Sequence, residues 1–432
     1  MQLQLVNVGT KVLADYASIA TRGLMDQIRE LAEPLRGKRV LHLSATAFGG
    51  GVAEILYTLV PLMRDAGLDV EWRIIQGADE FFDVTKAIHN ALQGDPKGLT
   101  SEQEEIFRRY NELNADALEG EYDFIIVHDP QPAGVIDHAR HVARHWCWRC
   151  HIDLSEPNPS VLDFLLPWIG SYDATVFHRR QYVPDSEGIP APWIWPPAID
   201  PLAPKNMALS AEDASYIVDQ FGIDVHRPLI TQVSRFDPWK DPLGVIEAWR
   251  ELRESHPDVQ LALVGSMAHD DPEGWEYYNR TVSAAGGDPD IFILSNLNNV
   301  GSVEVNAFQV RSEVVLQKSI REGFGLTVTE SLWKGRPTIA GRVGGIVDQI
   351  QDGETGYLVS SVEECAERTR QVLEEPAAHR EMALRGKEYV RRRFLTPRLL
   401  RDWLVQFNYL DETDADVTEL AAELRSAELH GA

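Results

Sequence analysis

The stretch SIREGFGLTVTESLWKGRP sets Glu322 just ahead of two closely spaced glycines and Glu330 eight positions later. The strand-like run EVVLQKS before it and the helical run LTVTESLWKG after it make a strand–loop–helix unit, ended by Gly335 and Pro337. The amides of Leu326 and Thr327 then fall in the first helical turn, where N–H groups lack intrahelical acceptors and attract anions. Helical side chains tilt toward the N-terminus, so Glu330 leans toward the same ligand. A carboxylate accepts two hydrogen bonds from a vicinal diol, as acidic residues do on ribose in dinucleotide folds. Glu322, lying ahead of the helix, would meet other hydroxyls. A phosphate flanked by two polyols, a nucleotide-sugar, suits the amides and both carboxylates. Its charge still needs cations, and VSRFDPWKDP supplies Arg235 and Lys240. Arginine grips phosphate bidentately and lysine acts as a point charge.

The elements that must position these residues are most legible in the second half. Apolar, β-branched runs occur at 228–236, 259–266, 290–296, 313–319, 337–343 and 355–361, most of them separated by helical stretches or helix-length loops. Near-continuous apolar strands alternating with helices mean a parallel sheet covered on both faces. Ligands of such sheets sit at the C-terminal strand ends. The first half repeats the plan with strands expected at 39–45, 70–77, 124–129, 149–154 and 174–179. A glycine loop, TAFGGG, follows the first of these and leads into an amphipathic helix. The proline-rich passage 189–206 reads as an interdomain linker packed through Trp193 and Trp195. A strong helix at 397–410 precedes an acidic tail that reads as a short surface helix or a frayed end.

The chain has 432 residues, 44% hydrophobic and 25% charged, so two or three globular domains are expected. A formal charge of −26 argues against nucleic acid or an anionic membrane as the main partner. Any anion site must therefore be a local cluster of basic residues. The N-terminus lacks the pattern of a signal peptide and no run suffices for a membrane span, which points to the cytoplasm. The three cysteines, Cys147, Cys150 and Cys365, fit a reducing compartment with no disulfide framework. CWRCH has the form of a c-type haem attachment, but that chemistry follows export. A zinc site would want a second ligand pair. The expectation is no metal and no cofactor, with Cys147 and Cys150 as core thiols at the start of a strand.

Arg235, Lys240, EGFGLTVTE and GRVGGIVDQIQDGETGYLV together resemble the donor half of a retaining glycosyltransferase of family 4. SATAFGGGVAEIL, HDPQP, RCHIDLSEPN and PPAIDPLAPKN are similar to the trehalose glycosyltransferring synthases, over nearly the whole chain. That resemblance implies an α/β chain with the GT-B fold, two Rossmann-like domains facing a deep cleft. It implies an acceptor-binding domain at 1–200, a donor-binding domain at 201–395, and a segment 396–432 whose helix crosses back to the first domain. The activity implied is formation of α,α-trehalose from a nucleoside-diphosphate-glucose and free glucose, reversibly and with same-face substitution. Arg235 and Lys240 would neutralise the diphosphate, Glu322 would hold the transferred glucose, and Glu330 the ribose. Gly323, Leu326 and Thr327 would line the donor site, with the base near Asn296 and Leu297. Gly50 and Gly51, with Gly49, would admit the donor phosphate, although a tight strand–helix turn explains them equally. His151 matches the active-site histidine, with Asp153 beside it. Asp129 and Gln131 are candidates for the acceptor glucose, or simple turn residues. Trehalose phosphorylases, which use α-glucose 1-phosphate, share much of the pattern. A homodimer is compatible with this reading, and the preferred base and direction of flux stay open.

Overall fold

The computed structural model describes residues 3–48, 50–186, 188–190, 192–267 and 272–412. Gly49 and the acidic tail from 413 onward lie outside the described residues. The chain divides into two compact units, one of the described residues up to Ala198 with those from Thr396 onward, the other of Ile199–Leu395.

In the first unit the apolar runs become β1 (Gln4–Leu5), β2 (Arg39–Ser44), β3 (Asp69–Ile74), β4 (Tyr122–His128), β5 (Ala143–Arg149), β6 (Ala174–Phe177) and β7 (Pro192–Ile194). They form a seven-stranded sheet of order β1-β3-β2-β4-β5-β6-β7, parallel except for β1. Residues such as Val40, Leu41, Phe124, Ile125, Trp146 and Val176 are fully buried because helices cover both faces. The strand expected at 149–154 is displaced: β5 runs from Ala143 to Arg149, and the chain leaves the sheet at Cys150. Two local bonds explain the exit. The His151 N–H donates to the Asp129 carboxylate at 2.7 Å, and Asp153 Oδ1 accepts from the Ser155 N–H at 2.8 Å. Cys147 and Cys150 therefore sit at the end of a strand, not its start, and both thiols are buried. The passage 189–206 is not linker throughout, because Pro192–Ile194 pairs with β6 as an edge strand, where a missing N–H is tolerated. Trp193 and Trp195 are buried.

The helix Thr396–Asp411 belongs to this first unit. Its Asn408 amide donates to Leu31 O at 2.9 Å. Its last residue, Asp411, receives Lys38 at 2.8 Å and Arg144 at 2.6 Å.

The second unit carries β8 (Leu229–Val233), β9 (Gln260–Val264), β10 (Ile291–Leu294), β11 (Val314–Gln317), β12 (Thr338–Gly341) and β13 (Tyr357–Val359). Their order is β10-β9-β8-β11-β12-β13, all parallel. The sheet order reverses direction between β8 and β11, so the loops after these two strands open where a doubly wound sheet binds ligands. Among the described residues no helix is long and apolar enough to cross a membrane.

Candidate active site

In the second unit the loop after β11 and the short turn after β8 bring two predicted residues together. Lys240 ends the turn Pro238–Lys240, whose start is capped by the Asp237 side chain. Its Nζ donates to Glu322 Oε2 at 2.7 Å, and Ser319 Oγ donates to the same oxygen at 3.2 Å. Both partners of the ion pair are largely buried. An ammonium has three donors, so the contact to Glu322 uses one of them. The loop is held from below by close packing: a Cβ on Gly341 would lie 1.9 Å from Ser319 O, so only glycine admits the loop here. Gly325, with φ +86°, then turns the chain into the helix Leu326–Trp333 in a conformation that side chains resist. The Gly323 carbonyl accepts from the Gly345 N–H at 3.1 Å, and Thr327 Oγ1 donates to Gln317 Oε1 at 3.0 Å.

Arg235 does not join this pair. Its guanidinium is 68% exposed and sits 3.3 Å from Asp237 Oδ2. Glu330 is placed on the helix as expected, but its side chain is only 1% exposed. Neither of its carboxylate oxygens has a hydrogen-bond donor among the described residues. Lys205 Nζ stands 3.3 Å from Oε1, an ion pair without hydrogen-bond geometry. Lys334 lies alongside, donating to Asn206 Oδ1 at 3.1 Å, and burial lowers its ammonium to about 7 against the pull of Glu330. A buried carboxylate lacking hydrogen bonds is costly, and a ligand diol would relieve that cost. Lys205 and Lys334 were not singled out from sequence. Asn296 clamps a neighbouring loop, accepting from Met267 N at 2.7 Å and donating to Met267 O at 3.1 Å. Leu297 beside it is 49% exposed.

In the first unit Asp129 and His151 come together. Asp129 follows β4 directly with φ +65°, a conformation that β-region strands exclude and that is costly for a residue other than glycine. The bond from the His151 amide and another from its own N–H to Arg149 O, at 2.9 Å, hold it there. Asp129 retains some surface, yet its carboxyl is packed among protein atoms, and this burial pushes it up to about 7. Gln131 is near in sequence, its backbone carbonyl accepting from Asn111 at 3.2 Å. Gly50 opens the helix Gly50–Asp65 and Gly51 continues it.

His151 is one of four histidines in a row. His42 Nδ1 faces His128 Nε2 at 3.0 Å, His128 Nδ1 faces His151 Nε2 at 2.9 Å, and His151 Nδ1 faces His178 Nε2 at 3.4 Å. Burial pushes His42 down to about 3 and the other three well below the usual histidine range. Four neutral imidazoles therefore line the sheet. A histidine inside or just after each of β2, β4, β5 and β6 was the signal for this row, and only His151 was taken from it.

Comparison with known proteins bears on the family and the fold. A family model described as trehalose synthase, N-terminal domain, matches residues 42–184, and one described as glycosyl transferases group 1 matches residues 215–392. A trehalose synthase of Rubrobacter xylanophilus is 59% identical over 410 residues, 94% of this chain and 98% of that protein. A trehalose phosphorylase of Pleurotus pulmonarius is 29% identical over 82% of this chain and 55% of that protein. Among solved structures, a UDP-forming α,α-trehalose-phosphate synthase of Burkholderia xenovorans in complex with glucose-6-phosphate superposes with a TM-score of 0.70 at 16% identity, covering 87% of this chain and 99% of that one. The two parallel-sheet units are those of the GT-B fold. The chain belongs to the trehalose synthase family of glycosyltransferases.

Proposed function

We propose that the protein transfers glucose from a nucleoside-diphosphate-glucose to free glucose with retention, giving α,α-trehalose, and that it runs in both directions. The observation that carries this reading is the 2.7 Å pair between Lys240 and Glu322, seated at the entry to the helix Leu326–Trp333. It sets a cation for a leaving phosphate beside a carboxylate for sugar hydroxyls. Glu330 supports the nucleotide half, since its buried carboxylate has room in its bonding for a ribose diol once Lys205 moves aside. Asn296 and Leu297 are assigned to the base, which would rest on their backbone. Asp129, Gln131, His151 and Asp153 are assigned to the acceptor glucose, and Gly50 and Gly51 to close approach of the donor phosphate.

In this account the bond from the anomeric carbon to the diphosphate breaks while the bond to the acceptor oxygen forms on the same face. The departing phosphate oxygen takes the acceptor's proton. Lys240, aided by Arg235 and the amides of Leu326 and Thr327, stabilises the charge growing on the leaving group. Retaining glycosidases instead use a carboxylate nucleophile about 5 Å from an acid. Glu322 is ill suited to that role, because its oxygen is already bound by Lys240 and Ser319. No resident cofactor or metal is invoked. Use of nucleotide-sugars fits a cytoplasmic enzyme. Incubation with glucose and ADP-, UDP- or GDP-glucose, followed by identification of the disaccharide, tests the reading. Formation of α,α-trehalose supports it, and absence of trehalose with all three donors refutes it.

A further inference from the structure

The row of four imidazoles has a direction, and its far end reveals which. His42 Nε2 lies 3.5 Å from Met63 Sδ, on the helix Gly50–Asp65. A thioether sulfur accepts hydrogen bonds and cannot donate them. The contact is favourable only when His42 carries its proton on Nε2, since the other neutral tautomer sets a ring lone pair against sulfur. A neutral imidazole has one N–H, so His42 Nδ1 is then an acceptor. It takes its bond from His128 Nε2, 3.0 Å away. His128 Nδ1 becomes an acceptor in turn, and takes its bond from His151 Nε2 at 2.9 Å. The proton of His151 is thus on Nε2, and its Nδ1 is an acceptor. The ring planes of His42 with His128, and of His128 with His151, are each inclined by 23°, so every N–H lies close to the plane of the lone pair it meets. The relay needs neutral rings, because a protonated His42 would donate from both nitrogens and reverse the row. Complete burial keeps His42 uncharged.

We propose that Met63, acting through His42 and His128, fixes the tautomer of His151 and leaves Nδ1 of His151 as a hydrogen-bond acceptor for a sugar hydroxyl. The sugar contact rests on the transferase reading, whereas the tautomer does not. The His151–His178 contact, at 3.4 Å, is the longest in the row. A hydroxyl donor approaching to about 2.8 Å makes the better bond and displaces it. The reacting hydroxyl gives its proton to the leaving diphosphate, so the hydroxyl at Nδ1 is a neighbouring one. His151 then orients the sugar and does not deprotonate it. Met63, His42 and His128 are positioning residues that touch no substrate.

The test is nitrogen NMR of the full chain labelled at histidine, with the His151 signals identified by their loss in His151→Gln. The wild type is expected to show a protonated Nε2 and a bare Nδ1 at His151. Met63→Leu is close in volume and removes the sulfur acceptor. It is expected to populate the reversed row, moving both His151 signals toward each other. The turnover number should fall by the fraction of molecules whose His151 carries its proton on Nδ1. Selenomethionine, which keeps a soft acceptor, should leave the signals in place. A wild-type His151 protonated on Nδ1, or a tautomer unmoved by Met63→Leu, would overturn the proposal. A moved tautomer with unchanged turnover would overturn the sugar contact and leave the control by Met63 standing.

Discussion

Lys240→Ala removes the cation from the one ion pair that the donor-site reading depends on. Two losses follow. The leaving diphosphate loses a preorganised donor, a change that costs about 3–4 kcal/mol in comparable sites. Glu322, until now compensated by the ammonium at 2.7 Å, keeps its Ser319 bond but loses its countercharge beside a polyanion. Two unit charges about 6 Å apart at an effective dielectric of about 20 repel by roughly 3 kcal/mol. Water entering the space left by the lysine stem screens part of that repulsion, so the sum is an upper bound. A net loss of about 3–4 kcal/mol is expected, a fall in kcat/KM of between about 10² and 10³. Arg235→Ala should cost less, because that guanidinium is 68% exposed and bound to Asp237. The assay is trehalose formation from glucose and the preferred nucleoside-diphosphate-glucose, with folding checked by circular dichroism. The repulsion has its own signature: combined with Glu322→Gln, Lys240→Ala should be non-additive by about 1–2 kcal/mol. A Lys240→Ala enzyme within threefold of wild type would refute the role given to the pair.

Further outcomes are expected. Glu330→Ala should weaken binding of a nucleoside diphosphate in calorimetric titration, while Glu322→Ala should mainly lower turnover. Equal loss of nucleotide affinity in both would contradict the division of labour. Gly341→Ala forces a Cβ to within 1.9 Å of Ser319 O, so the loop bearing Glu322 must shift. A marked drop in the unfolding temperature or loss of transfer activity is expected, and wild-type values for both would show that the loop yields freely. The four histidines held below their usual range bind fewer protons folded than unfolded. Their contribution is fully present above an unfolded histidine pKa of about 6.5 and is lost as pH falls toward the folded values, by roughly 1.4 kcal/mol per pH unit for each histidine at most. Asp129, held high, opposes this within the same window. One against four, it should not cancel the trend, so the urea midpoint should fall between about pH 7 and about pH 5.5; an unchanged midpoint would contradict neutral buried imidazoles.

The donor half was legible because its signals are local. Glu322, the glycines and Glu330 share one strand–loop–helix unit, so spacing alone places them. The surroundings of Glu330 were not legible, since Lys205 comes from the chain before β8 and meets it only through packing. The row of histidines failed for the same reason. His42 and His128 sit on two strands while His151 and His178 follow two others, so they meet only once four separate segments are packed side by side. The misplaced strand at 149–154 has a different cause. Arg149 reads as polar and so as a strand end, yet it is buried, donating to Phe177 O at 3.1 Å and Trp195 O at 2.7 Å. Apolar Cys150, Ile152 and Leu154 alternate with His151 and Asp153 beyond it, a strand-like pattern that hid the point where the chain leaves the sheet. The prolines of 189–206 disguised an edge strand, where their missing donors cost nothing.

The central claim is that a nucleotide, and not inorganic phosphate, receives the glucosyl group when the reaction runs backward. Glucose release from trehalose should be measured with ADP, UDP or GDP, and separately with phosphate, and the sugar product identified in each case. The account predicts a nucleoside-diphosphate-glucose with at least one diphosphate and no release with phosphate. Release of α-glucose 1-phosphate with phosphate, and no nucleotide-sugar with any diphosphate, would contradict it and establish the phosphorylase reaction.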